Sequence, residues 1–190
     1  MGVQDEAERV EPATLEEWSA WLAAHHADTA GVWLVSPRRE ADRAVGYEPA
    51  VCEALRYGWV DSTQRPLDEG RSMQWFSPRR RGSIWTRRNK ERVARLEAEG
   101  RMEAPGAAAV EAARASGMWT LMDDVEDLVV PADLAAAFDA HPGSREAWEG
   151  FPPSARKQML AWIVLAKRPG TRATRVTETA ARAARGERSQ

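Results

Sequence analysis

The stretch from Ala54 to Asn89 limits the fold more than any other part of the chain. Two short runs in it, Trp59–Ser62 and Arg71–Ser77, carry aromatic and β-branched residues, and a loop with Pro66 and Gly70 separates them. Runs of that kind pair as antiparallel strands. Helical patterns bracket the pair. Tyr47 to Tyr57 has Pro49 in its first turn, Ala50, Val51, Ala54 and Leu55 as an inner face, and Gly58 as its stop. Thr86 opens a second helix that runs to about Glu99, and Gly100 ends it. The order predicts an α+β protein: a small antiparallel β-sheet flanked by helices, with a helical C-terminal segment.

The flanking sequence extends this pattern. Residues 1 to 12 are polar and expected to fray. Thr14 begins a capping box with Glu17, and Leu15, Trp18, Trp21 and Leu22 form an apolar face on the helix that follows. Adjacent helical positions diverge by about 100°, so the His25-His26 pair at its end is poorly placed to bind one metal ion. Gly31 opens VWLVS, a strand pattern that Pro37 stops. Pro105 starts an alanine-rich helix to Ser116. The acids of DDVEDLVV lack the glycine and terminal glutamate of a calcium loop. From Pro131 onward four helical patterns follow, and Lys167-Arg168-Pro169-Gly170 breaks the third from a fourth that Thr171 caps. The division expected is a flexible N-terminus over 1–13, an α+β core with a candidate pocket over 14–122, and a helical segment over 123–190 that packs on the core.

Charge and composition narrow the function. The net charge is -2, but Arg71 to Arg101 holds ten basic and three acidic residues, while the first seventeen residues are acidic. Such separation gives a local positive field that attracts anions. Nucleic acid is disfavoured as a partner, because the overall charge is slightly negative and no recognition motif occurs. The single cysteine, Cys52, permits no intrachain disulfide and fits a reducing compartment. It lies on an apolar helix and reads as a buried, inert thiol. The acidic N-terminus has no apolar signal region, and the longest apolar run, Met159 to Ala166, is too short to cross a bilayer. The expectation is a cytoplasmic protein without membrane insertion. No metal or cofactor motif appears, and the sequence leaves the oligomeric state open.

The motifs GWVD, FSPRRRGSIWTRRN, GRMEAPG, GMW and AKRPGTRATR occur in that order. Together they resemble the YdeI/OmpD-associated family, also described as a bacteriocin-protection family, from about Leu15 to Gly186. The resemblance implies a role in resistance to antimicrobial peptides and implies no mechanism. Relatives commonly read GWID after a cysteine and a phenylalanine, whereas Arg56 and Tyr57 precede GWVD here. If those positions line a pocket, this chain's ligand differs from that of its relatives.

The candidate site follows from the same stretch. Trp59, Trp75 and Trp85 suggest the wall of a pocket in a chain with nine tryptophans, although Trp85 reads more readily as a core residue than as a stacking platform. Asp61 follows Trp59 by two and leaves the same strand face. It could orient an arginine, accept a proton, or simply pair with the basic turn. Arg79 is nearest the strand among three consecutive arginines and could hold an anion by its planar fork, with Arg80 and Arg81 as surface charge, or all three could form a solvated basic turn. Ser83 has no nearby histidine and no GxSxG elbow, so it reads as a hydrogen-bond donor rather than a nucleophile. Asn89 on the first helical turn could reach a ligand or brace the turn. Arg172 and Arg175 share a helical face and form a second basic group that could close over the first. Two functions remain open. One is a binding module that holds a small anionic or aromatic molecule, or a peptide, in a Trp/Arg-lined pocket and protects against a toxic compound. The other is a cofactor-independent enzyme of specialised metabolism, with Asp61 as acid/base and Arg79 steadying negative charge.

Overall fold

The computed structural model describes residues 2 and 4–188. The chain divides into two compact units: Met1–Ser83 with Arg88–Ser116, and Ile84–Arg87 with Gly117–Gln190. The first is α+β and the second is helical.

The first unit is built on a four-stranded sheet of order β1-β2-β4-β3. Its strands are β1 (Arg9–Val10), β2 (Val32–Pro37), β3 (Trp59–Pro66) and β4 (Arg71–Pro78). The expected antiparallel pair is β3 and β4, with Asp61 opposite Phe76 and Pro66 opposite Ser72. The β2 run joins the other side of β4, also antiparallel. One correction concerns the N-terminus. Arg9 and Val10, expected to fray, pair in parallel with Trp33 and Leu34, and the Trp33 indole donates to the Gln4 carbonyl at 2.7 Å. Backbone pairing on the sheet edge holds this segment, and Val10 packs against the core between helices and sheet.

Helices α1 (Leu15–His25) and α2 (Tyr47–Arg56) cover one sheet face. Thr14 caps α1 by accepting the Glu17 N–H at 3.2 Å, and Glu17 accepts the Ala13 N–H at 2.7 Å. Trp18, Leu22, Val32, Leu34, Val51, Ala54, Trp59 and Phe76 form the core between helices and sheet. The Trp18 indole donates to the Ala50 carbonyl at 3.1 Å and ties α1 to α2. Trp33, Val35, Met73 and Trp75 form a second cluster on the opposite sheet face, as the two-residue period of a strand requires.

Helices α3 (Arg87–Ala98) and α4 (Ala104–Ala115) complete this part of the chain. Gly58 takes φ +75° to turn the chain from α2 into β3. Its carbonyl accepts the Arg79 N–H at 3.0 Å, which fixes the end of β4 beside the start of β3. The α4 helix approaches the end of α2 so closely that a Cβ on Gly106 would lie 2.1 Å from the Arg56 carbonyl oxygen.

The second unit packs α6 (Ala132–Asp139), α7 (Ser144–Glu149), α8 (Pro153–Val164) and α9 (Pro169–Ala183) around Leu134, Phe138, Trp148, Met159, Leu160, Ile163 and Ala180. A one-turn helix, α5 (Asp123–Glu126), occupies the acidic segment. Glu126 and Asp127 pair with the Arg87 guanidinium at 3.5 and 2.6 Å. No acidic or histidine cluster able to hold a metal occurs among the described residues. The last helix begins at Pro169, before the expected Thr171 cap, because proline is tolerated in a first turn and Arg168 supplies the extended cap residue. No helix of the described residues is long and apolar enough to cross a membrane.

Candidate functional site

The Trp59-to-Asp61 spacing sends both side chains to the helix-covered face of β3, with different fates. Trp59 is 1% exposed and packs in the core, edge-on to Trp21 at 6.0 Å, its indole donating to the His26 carbonyl at 3.2 Å. Asp61, farther along the strand, is half-buried and accepts the Tyr47 hydroxyl at 2.7 Å. Tyr47 is the first residue of α2, so this bond fastens the helix to β3. Burial raises the Tyr47 pKa, and the hydrogen bond and charge of Asp61 raise it further. The phenol therefore stays protonated at neutral pH and acts as a donor.

Arg79 turns inward where β4 ends, while Arg80 and Arg81 are exposed. Burial pushes its pKa down to about 10, Asp61 pulls against that fall, and Arg92 adds to it. A guanidinium drawn into the protein beside another guanidinium is costly unless negative charge faces it. Asp61 supplies part of that charge.

Arg92 belongs to a ladder along one face of α3. Arg88, Arg92 and Arg95 recur at helical spacing along α3, and all reach Glu48 on α2. Arg92 is 5% exposed and holds the carboxylate with both arms of its fork, Nε to Oε1 at 2.9 Å and Nη2 to Oε2 at 2.6 Å. Its third donor, Nη1, reaches the Asn89 Oδ1 at 2.8 Å. Arg88 and Arg95 add bonds at 3.2 and 3.4 Å. Hydrogen bonding to Arg92 is the main cause that holds the Glu48 carboxyl down at about 2. Arg88, Arg92 and Arg95 thus share one carboxylate, Glu48, and Asp61 acts on Arg79. The neighbouring Glu40–Arg43 pair is neutral.

Cys52 stands on α2 beside this ladder. Arg95 donates to its sulfur at 2.9 Å, yet burial dominates and raises the thiol pKa. The thiol stays protonated at neutral pH, and so less reactive.

The other sequence candidates fall elsewhere. Arg56 pairs with Glu53, with Glu103 at 2.8 Å, and with the Arg101 carbonyl at 2.8 Å. It is a brace between α2 and the segment leading into α4. The Ser83 hydroxyl accepts the Arg80 N–H at 3.1 Å and closes the basic turn. Trp85 belongs to the second unit, where it is 2% exposed and packs on Trp119 at 5.0 Å. Arg172 forms a two-armed pair with Asp133 at 2.7 and 3.1 Å, and Arg175 donates to the Trp162 carbonyl and covers that indole at 5.0 Å. Among the residues that sequence reasoning favoured, Asp61 and Arg79 come together, and Asn89 joins them through Arg92. Tyr47, Glu48 and Arg92 were missed. The regular spacing of Arg88, Arg92 and Arg95 was a visible signal for the ladder, but nothing in the sequence showed that Arg92 would be buried.

The fold and site define an α+β protein with an arginine-rich polar site on its sheet-bearing unit. Residues 10–109, more than half of the chain, match the family described as a domain of unknown function (DUF8412), and the chain belongs to that family. Residues 127–186 match the family described as Bacteriocin-protection, YdeI or OmpD-Associated. That match contains AKRPGTRATR, whereas GWVD and FSPRRRGSIWTRRN lie within the first match. The resemblance to the YdeI/OmpD-associated family is thus carried by the C-terminal third. None of the curated proteins and none of the solved structures match the chain.

Proposed function

We propose that the protein binds a small anionic molecule, or an anionic group of a peptide, at Arg79 and Arg92, and that this binding contributes to protection against a bacteriocin or related toxic compound. The observation that carries the reading is the inward Arg79 guanidinium, facing Asp61 beside a ladder in which arginines outnumber carboxylates. An added anion would offset the surplus positive charge, and arginine forks suit carboxylate and phosphate oxygens. The protective part rests on the family matched by residues 127–186. The buried rings of Trp59 and Trp85 give the aromatic part of the expected ligand less support than the anionic part.

The test has two arms. Survival of a bacteriocin-sensitive bacterium is measured with and without the wild-type chain and its Arg79→Ala variant. Protection by wild type and its loss in the variant are expected; equal survival in all three strains sinks the protective reading. In the second arm, inorganic phosphate is titrated while the backbone amides of Tyr47 and Asp61 are followed by NMR. Saturable shifts lost in Arg79→Ala are expected, and shifts indifferent to Arg79 remove the binding reading.

A second reading keeps the same residues as an enzyme, with Asp61 as acid/base. The Tyr47–Asp61 hydrogen bond beside Arg79 favours it. It requires Asp61→Asn to abolish turnover of a bound compound while affinity persists.

A further inference from the structure

Along the helix-covered sheet face, the side chains turn from apolar to polar toward the Arg71 end of β4. Val32, Leu34 and Phe76 lie in the core. Farther along the same face, Ser72 of β4 stands in register with Ser36 of β2 on one side and Pro66 of β3 on the other. A shallow, open depression of about 320 Å³ lies there, lined by Arg38, Gln64, Arg65, Pro66 and Ser72. No acidic residue lines it among the described residues.

Two groups in this depression have unused hydrogen-bonding capacity. Ser72 is 6% exposed, and its hydroxyl has no hydrogen-bond partner among the described residues. An enclosed hydroxyl left unpaired is costly and calls for an explanation such as a ligand or water. Arg38 is the second. Its backbone is fixed, the N–H to the Gly70 carbonyl at 2.9 Å and the carbonyl to Arg43 at 3.4 Å. Its guanidinium is exposed and makes no ion pair among the described residues. Arg65 is committed: its guanidinium covers the Trp33 ring at 5.2 Å, donates to Gln4 at 3.1 Å and has Asp5 at 3.7 Å. It shapes the depression, and Arg38 carries the free charge.

We propose that this depression is a second binding site, distinct from the Arg79 site, for an oxyanion borne by a small molecule. The Arg38 fork would take two of its oxygens, and the Ser72 hydroxyl and the Gln64 amide would add one donor each. Carboxylate and phosphate share the required chemistry: several acceptor lone pairs on a charged group.

The test uses the full chain and two probes, inorganic phosphate and acetate, with the backbone amides of Arg38 and Ser72 as NMR reporters. Saturable shifts at those amides are expected with at least one anion, and the stronger probe identifies the class. Arg38→Ala is expected to weaken binding by about tenfold and Ser72→Ala by about threefold, in line with losing a charged and a neutral donor. Arg79→Ala is expected to leave these shifts intact, so failure here is distinguishable from failure at the Arg79 site. Ser72→Ala is expected to keep or raise the Tm of the ligand-free protein, since the removed hydroxyl has no hydrogen-bond partner among the described residues. Absence of saturation with both anions overturns the proposal. So do shifts indifferent to Arg38→Ala. A Tm lowered by Ser72→Ala would assign that hydroxyl to a structural water and overturn it too.

Discussion

Glu53→Gln probes what holds the helices of the first unit together. Glu53 on α2 is only 2% exposed, and its carboxylate receives the guanidinium groups of Arg56 and Arg101 and the Ser19 hydroxyl of α1 at 3.0 Å. One buried charge thus joins α1, α2 and the segment after α3. Glutamine keeps the volume, removes the charge and turns an amide donor toward one of the two arginines. Breaking a buried pair from one side costs about 3–5 kcal/mol. The lower end applies, because Arg56 keeps Glu103 at 2.8 Å and Arg101 keeps Glu99 at 3.0 Å. A loss of about 3 kcal/mol corresponds to a fall in Tm of roughly 10 °C for a domain of this size. Urea and thermal unfolding followed by circular dichroism measure it. Arg185→Gln, at an exposed pair with Glu187, is the control and should have no measurable effect. A loss for Glu53→Gln below about 1 kcal/mol would refute the view that this carboxylate organises the three elements.

Two further perturbations follow from the same geometry. The Glu48 carboxyl is held at about 2 against an ordinary 4.5. Its contribution is fully present above pH 4.5 and is lost as the pH falls toward 2. The whole interval would be worth ~3 kcal/mol, but the side chain is 39% exposed, and solvent screening leaves about 1–2 kcal/mol. Glu48→Gln should therefore flatten the acid limb of the stability curve, and an unchanged slope would exclude the Arg92 fork as its source. Gly106→Ala would drive a Cβ to 2.1 Å from the Arg56 carbonyl, so α4 must shift at a cost of roughly 3 kcal/mol; unaltered stability would mean that the approach of α4 to α2 is loose.

Local rules made much of the fold legible. The Thr14–Glu17 cap, the glycine stop after α2 and the alternation along β3 and β4 each act within a few residues, where sequence spacing sets geometry. The same alternation put Trp59 and Asp61 on one face, as the structure bears out. It did not say that Trp59 would fill the core while Asp61 would reach a tyrosine. The β1 strand was illegible because it rests on two residues whose pairing partner lies in β2.

The site itself was decided by tertiary structure. Sequence concentrated arginine between Arg71 and Arg101, and that alone fixed a positive field over this region. Which arginine turned inward depended on contacts made across the chain: Asp61 meets Tyr47 from 14 residues away, and Arg92 meets Glu48 from 44. Charge adds up along a sequence without reference to the fold. Desolvation and a two-armed hydrogen bond exist only where packing excludes water and aligns both partners, so burial of Arg92 and Arg79 became visible only once α2, α3 and the sheet were assembled.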